Sequence, residues 1–88
     1  MANHKQAAKR ARQSERRKIR NTGIKTNVKR AVRAFREATE TADKEAATKA
    51  LRTATKRLRT AASKGVLHAR TASRRVSRLT RAFNKLEG

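Results

Sequence analysis

Lys9-Arg10-Ala11-Arg12-Gln13-Ser14-Glu15-Arg16-Arg17-Lys18-Ile19-Arg20 holds seven cations, one acid and a single large aliphatic side chain in twelve residues. Wound as an α-helix at about 100° per residue, the segment carries its lysines and arginines around most of its circumference and leaves no apolar stripe. A helix that is polar all round has nothing to bury against protein and needs another kind of partner. From Ile24 the pattern reverses: Ile24, Val28, Ala31, Val32, Phe35 and Ala38 recur at helical spacing and form an apolar stripe roughly 120° wide. This half packs against protein, while Lys25, Lys29, Arg33 and Arg36 continue the cations along its outer side. Gly23, where the two characters meet, weakens a helix by about 1 kcal/mol relative to alanine and marks either a hinge or a point of close approach.

The remainder of the chain supplies partners for that stripe. Glu37, Glu40, Asp43 and Glu45 gather four of the six acids within nine residues, which predicts a turn followed by a second helix with Asp43 as its N-cap. That helix is expected to run to about Ser63, with Ala47, Ala50, Leu51, Ala54, Leu58 and Ala61 inward and Lys49, Arg52, Lys56 and Arg59 outward. Lys64-Gly65 reads as a C-cap, because glycine supplies the left-handed residue and lysine suits the negative helix end. Val66 and Leu67 then tuck inward. A third helix follows from about Ala69, with Ala72, Val76, Leu79, Phe83 and Leu86 on one face. Arg70, Arg74, Arg78, Arg81 and Lys85 form a ridge opposite, about 80° wide by helical-wheel arithmetic. The chain before about Lys5 is expected to be a flexible end, with Asn3 available as the first N-cap.

These elements predict an all-α fold, a three-helix antiparallel bundle with an N-terminally overlong first helix. At about 1.5 Å per residue a helix from Lys5 to Glu40 spans roughly 54 Å against roughly 30 Å for each of the others, so its N-terminal end overshoots. The division is a single domain over residues 1–88: a basic arm, 1–23, and a bundle, 24–88. Up-down-up topology places the Gly65 turn and the start of the third helix at the root of the arm, and the acidic turn and the C-terminus at the far end.

Composition narrows the partner. Lysine and arginine total 26 against 6 acids, a formal net charge of +20 on 88 residues. Solubility needs only about 2–8 charges on a small domain, and a larger excess repels itself until anions neutralise it. Phosphate backbones are the polyanions that answer this demand. Arginine outnumbers lysine by 16 to 10, which favours bidentate grip on phosphates at positions set by a folded RNA or a duplex. The only aromatic residues, Phe35 and Phe83, both fall in apolar stripes, so no stacking platform for single strands is expected.

Catalysis and cofactors find no support. Cysteine is absent and His4 and His68 are the only histidines, with no acid at ligand spacing, so no metal and no other cofactor is expected. Ser14, Ser63, Ser73 and Ser77 stand among cations without a histidine–carboxylate pair, and there is no glycine-rich phosphate loop. The chain is therefore expected not to be an enzyme and to have no small-molecule substrate. No apolar run reaches the roughly 20 residues needed to span a bilayer, and the N-terminus resembles neither a secretory signal nor an amphipathic transit peptide. A soluble, intracellular protein without membrane contact is expected.

Particular residues then carry a likeness. Ala2-Asn3-His4-Lys5, Lys9-Arg10, Gln13-Ser14-Glu15, and Lys64-Gly65-Val66-Leu67-His68 with Thr71-Ala72, Arg74, Ser77 and Leu79 resemble the family of bacterial small-subunit ribosomal proteins numbered twenty, over essentially the whole chain. The resemblance implies a cytoplasmic three-helix protein that binds 16S rRNA directly, early in subunit assembly. It further implies contact with the 5′ domain and the long penultimate stem, with few or no protein contacts. Ala69-Arg70, Val76, Arg59 and Ala42 depart from the family's usual pattern, and Ala42, where glycine often precedes the aspartate, bears on the geometry of the first turn. The residues expected to contact RNA are Asn3, Lys5, Lys9, Arg10, Arg12, Ser14, Arg16, Arg17 and Arg20 on the arm, and Lys25, Lys29 and Arg33 on the outer face of the first helix. Lys64, Gly65, His68, Arg70, Thr71, Arg74, Arg75, Ser77, Arg78 and Arg81 complete the set in the second turn and third helix. Two rival readings share the charge. A nucleoid-type DNA-compacting protein is weakened by the absence of proline-rich tails, and a membrane-active helix by the lack of an apolar face on the most cationic segment.

Overall fold

The computed structural model describes residues 2–87 and consists of α1 (Ala2–Glu40), α2 (Lys44–Ser63) and α3 (Ala69–Glu87). α1 begins ahead of the expected Lys5: residues 2–4, part of the segment read as a flexible end, have helical backbone, and Asn3 stands inside the first turn, not at its cap. The Asn3 side chain, an expected cap and RNA contact, lies outside the described residues. The 39 residues of α1 extend for about 58 Å at the helical rise, and the molecule measures 67 × 21 × 13 Å. Its radius of gyration of 17.7 Å compares with about 12 Å for a compact chain of this length. The excess is the overshoot of α1.

Both turns close with the same hydrogen bonds. After α1, the Asp43 N–H donates to the Ala38 carbonyl and the Ala42 N–H to the Thr39 carbonyl, each at 3.2 Å. After α2, the Val66 N–H donates to the Ala61 carbonyl at 2.9 Å and the Gly65 N–H to the Ala62 carbonyl at 3.0 Å. Each pair satisfies carbonyls that a helix end leaves open, and each needs one left-handed residue to reverse the chain. Gly65 supplies it at φ +75° in the second turn. In the first, Ala42 adopts φ +55°, a conformation that costs a side chain with a Cβ roughly 1–2 kcal/mol. The departure at Ala42 thus leaves the turn intact but strained. Asp43 then caps α2, its Oδ1 accepting from the Ala46 N–H at 3.1 Å.

α2 is the central helix. Its small inward side chains, Ala47, Ala54 and Ala61, are fully buried and allow close approach. Near the second turn, Val28, Leu58, Ala61 and Ala72 form one core cluster with Ile24, Val66 and Leu67 packed against it. Near the first turn, Phe35, Ala38 and Ala47 form another, flanked by Leu51, Phe83 and Leu86. Phe35 and Leu58 are the largest fully buried side chains, each worth about 1.5–3 kcal/mol of transfer free energy. The helices form an antiparallel bundle, but an open one: α3 rests on α2 and barely touches α1. Of the apolar stripe expected on α3 only Ala72 is buried, and Val76, Leu79, Phe83 and Leu86 are half-buried.

Candidate nucleic-acid interface

The arm is a helical rod with no protein cover. Every side chain from His4 to Arg20 is exposed, and Ile19, in its last turn, keeps 69% of its surface in solvent. Lys5, Lys9, Arg12 and Arg16 line one side of the rod along with His4 and Gln13, an arrangement that follows from their spacing of four, three and four residues. Arg10, Arg17 and Arg20 lie on other sides, so cations surround the axis. Such a rod presents charge to anions arriving from several directions and makes no demand on base identity.

Where rod becomes bundle, the chain is Asn21-Thr22-Gly23. A methyl group built on Gly23 meets no atom within 4 Å, so close approach is not the reason for this glycine. The neighbouring threonines return their hydroxyls to the helix: Thr22 Oγ1 donates to the Lys18 carbonyl at 2.8 Å and Thr26 Oγ1 to the Thr22 carbonyl at 2.9 Å. Asn21 Oδ1 is buried without a hydrogen-bond partner. Each of these features weakens a helix locally, and all three fall where rod becomes bundle.

The second turn stands at the root of the rod, since Val66 and Leu67 pack on the cluster that contains Val28 and is joined by Ile24. Lys64 and Gly65 are exposed there. His68 closes the turn and caps α3: its carbonyl accepts from the Ala72 N–H at 3.0 Å, and its Nδ1 accepts from the Arg70 N–H at 3.1 Å. An accepting Nδ1 leaves the ring hydrogen on Nε2, which makes the exposed outer edge of the imidazole a hydrogen-bond donor. These two hydrogen bonds place His68 at the start of α3 and fix its ring. From this cap Arg70, Arg74, Arg75, Ser77, Arg78 and Arg81 project from α3 exposed, with Thr71 half-buried among them.

Lys25, Lys29 and Arg33 are likewise exposed, on the bundle half of α1. There the structure gathers residues that the sequence reading left out of the interface. Arg30 and Arg36 join Lys29, Arg33, Arg75 and Arg78 around a groove between α1 and α3. Arg36 belongs to the outer cationic face at helical spacing, a signal present in the sequence; Arg30 lies one position off that line, and only the placement of α3 brings it into the set. Among the described residues no group of three or more histidine, cysteine or acidic side chains is placed to hold a metal ion, and no helix is long and apolar enough to cross a membrane.

Comparison with known proteins agrees over nearly the full length. The family model for ribosomal protein S20 matches residues 2–84. The chain is 52% identical over 86 residues to the small ribosomal subunit protein bS20 of Maridesulfovibrio salexigens, an alignment covering 98% of this chain and 99% of that protein. It is 48% identical over 86 residues to the bS20 protein of Syntrophobacter fumaroxidans, covering 98% of this chain and all of the other. With the bS20 protein of Desulforamulus reducens it shares 49% identity over 88 residues, the full length of both.

Proposed function

The chain belongs to the ribosomal protein S20 family, and from that premise we propose that it is a structural, non-catalytic component of the small ribosomal subunit that binds 16S rRNA directly and stabilises its fold during assembly. The observation that carries the reading is the rod: seven cations in residues 9–20 on a helix with no protein against it. Charge of that density repels itself until anions neutralise it, and within this family the polyanion is ribosomal RNA. The nucleoid-type DNA-compacting alternative has no observation of its own to favour it.

The grip has two arms. One is the rod, with Lys5, Lys9, Arg12 and Arg16 along one side and Arg10, Arg17 and Arg20 around it. The other is the second turn and the outer face of α3, from Lys64 through His68 Nε2 to the arginines at 70, 74, 78 and 81. The arm over residues 1–23 and the bundle over 24–88 act as parts of a single RNA-binding domain, because the Gly65 turn meets the rod at its root. The 5′ domain and the long penultimate stem of 16S rRNA are the elements this grip joins, with few protein neighbours, in the cytoplasm. Since an unpacked helix of like charges is marginal in water, the rod gains order on the RNA.

Hydroxyl-radical footprinting on naked 16S rRNA, with the full chain and with a chain lacking residues 1–20, tests the reading. The shortened chain is expected to lose one block of protected riboses and keep another. Identical footprints would remove the rod from the interface. Far-UV circular dichroism of the free chain is expected to show less helix than the bound form, and equal helicity contradicts ordering on RNA.

A further inference from the structure

α1 and α3 do not close on each other, and the space between them is a groove of about 820 Å³. Its walls carry Lys29, Arg30, Arg33 and Arg36 from α1 and Arg75 and Arg78 from α3. Its floor is apolar, formed by Val28, Val32 and Leu79, and two acids, Glu37 and Glu40, stand on the α1 wall at the end nearer the first turn. Like charges on facing walls repel. That repulsion sets in where a third helix–helix seam would complete the bundle, and the α3 stripe beside it is left half-covered.

We propose that this groove seats one phosphodiester strand of RNA, and that the strand fastens α3 to α1, so that binding RNA and closing the bundle are one event. The proposal rests on the rRNA-binding reading above and adds to its two arms a third site, which shares Arg78 with the second. The lining suits such a strand in three respects. Five of the six cations are arginines, whose planar forks take phosphate oxygens in pairs. An apolar floor between charged walls matches a backbone in which anionic phosphates alternate with sugar faces, whereas a bare ion makes no use of the floor. The groove also has a polarity: Lys29 to Arg36 covers about 10 Å of α1, after which Glu37 and Glu40 repel a phosphate. The strand therefore enters from the rod end and leaves before the first turn.

Anion-dependent closure has a signature that simple surface attraction lacks. In the free chain the walls repel, so added salt, by screening them, raises stability; in the complex added salt releases the strand and lowers it. The test compares the wild-type chain, a groove variant (Arg30→Gln, Arg33→Gln, Arg75→Gln, Arg78→Gln) and a rod variant (Arg10→Gln, Arg12→Gln, Arg16→Gln, Arg17→Gln). Readouts are thermal unfolding without RNA, affinity for 16S rRNA against salt, and hydrogen exchange of α3 amides. The free groove variant is expected to unfold at a higher temperature than wild type in low salt, which also establishes that it folds. It is expected to bind 16S rRNA about tenfold or more weaker, with a logarithmic salt slope shallower by about 3. At saturating RNA, α3 amides are expected to gain protection in the wild-type and rod-variant chains but not in the groove variant. Wild-type affinity and slope in the groove variant, with binding lost in the rod variant, would overturn the groove and leave the rRNA reading standing. A wild-type chain with no preference for 16S rRNA over duplex DNA overturns that reading, and the groove with it. Protection of α3 by polyglutamate in place of RNA assigns the groove to an acidic polypeptide and defeats the proposal.

Discussion

The two halves of α1 are one continuous helix in two environments. Phe35, in the bundle half, keeps 1% of its surface exposed, while Ile19, sixteen residues earlier, keeps 69%. In the bundle half, water is replaced by α2, and the gain is the burial of Val28, Ala31, Phe35 and Ala38. In the rod no protein replaces water: helical backbone runs past the last apolar contact, and only a partner outside the chain can hold it. The difference teaches that helicity and packing are separable along a single element. The bundle half is held by its own protein, and the rod half is held for something else.

That contrast can be broken by experiment. The largest effect is expected in the rod: replacing its seven cations over residues 9–20 with glutamine lowers 16S rRNA affinity by about three orders of magnitude or more and flattens the salt slope by about 5–6. Urea unfolding of the bundle shifts by no more than about 0.5 kcal/mol. A fall in both together denies that the halves are independent. Next, Phe35→Ala costs about 3–5 kcal/mol of stability, a large share of what a domain this small possesses. Chemical denaturation followed by circular dichroism measures it, and a cost below about 1 kcal/mol contradicts its place in the core.

Smaller effects compare the two turns, which share hydrogen bonds and differ in one side chain. Gly65→Ala is expected to destabilise by about 1–2 kcal/mol, from the backbone alone, since a Cβ there meets no atom within 4 Å. Ala42→Gly is expected to stabilise by up to about 1 kcal/mol, the relieved strain being partly offset by the freer unfolded chain. Opposite signs in urea titrations sharpen the comparison, and equal signs refute it. Gly23→Ala, with open space around it, adds about 1 kcal/mol of helix propensity to the junction, read as raised far-UV helicity. Smallest of all, Ile19→Ser leaves unfolding within about 0.5 kcal/mol.

Much of this was legible in the residues. The stripe from Ile24 to Ala38, the cap at Asp43 and the glycine at 65 announce helix, start and stop, because each depends on chemistry within a few residues. The exposed cations of the rod and of α3 followed from the same periodicity. Less legible were the start of α1, which runs to Ala2 although no apolar face anchors it, and the first turn, where Ala42 does what glycine does at 65. Sequence placed Arg36 on an outer face and passed over Arg30; both join the groove only because α3 lies where it does.

Local rules therefore determined which residues are helical, which face of each helix is apolar and how much charge must find a partner, since hydrogen-bond capping, side-chain period and Coulomb repulsion act over short stretches of chain. Tertiary structure decided how far α3 stays from α1, that Gly23 has room around it, and which arginines face one another across the groove. Those outcomes depend on the balance between apolar burial on α2 and repulsion between elements remote in sequence, a balance that no window of the chain contains.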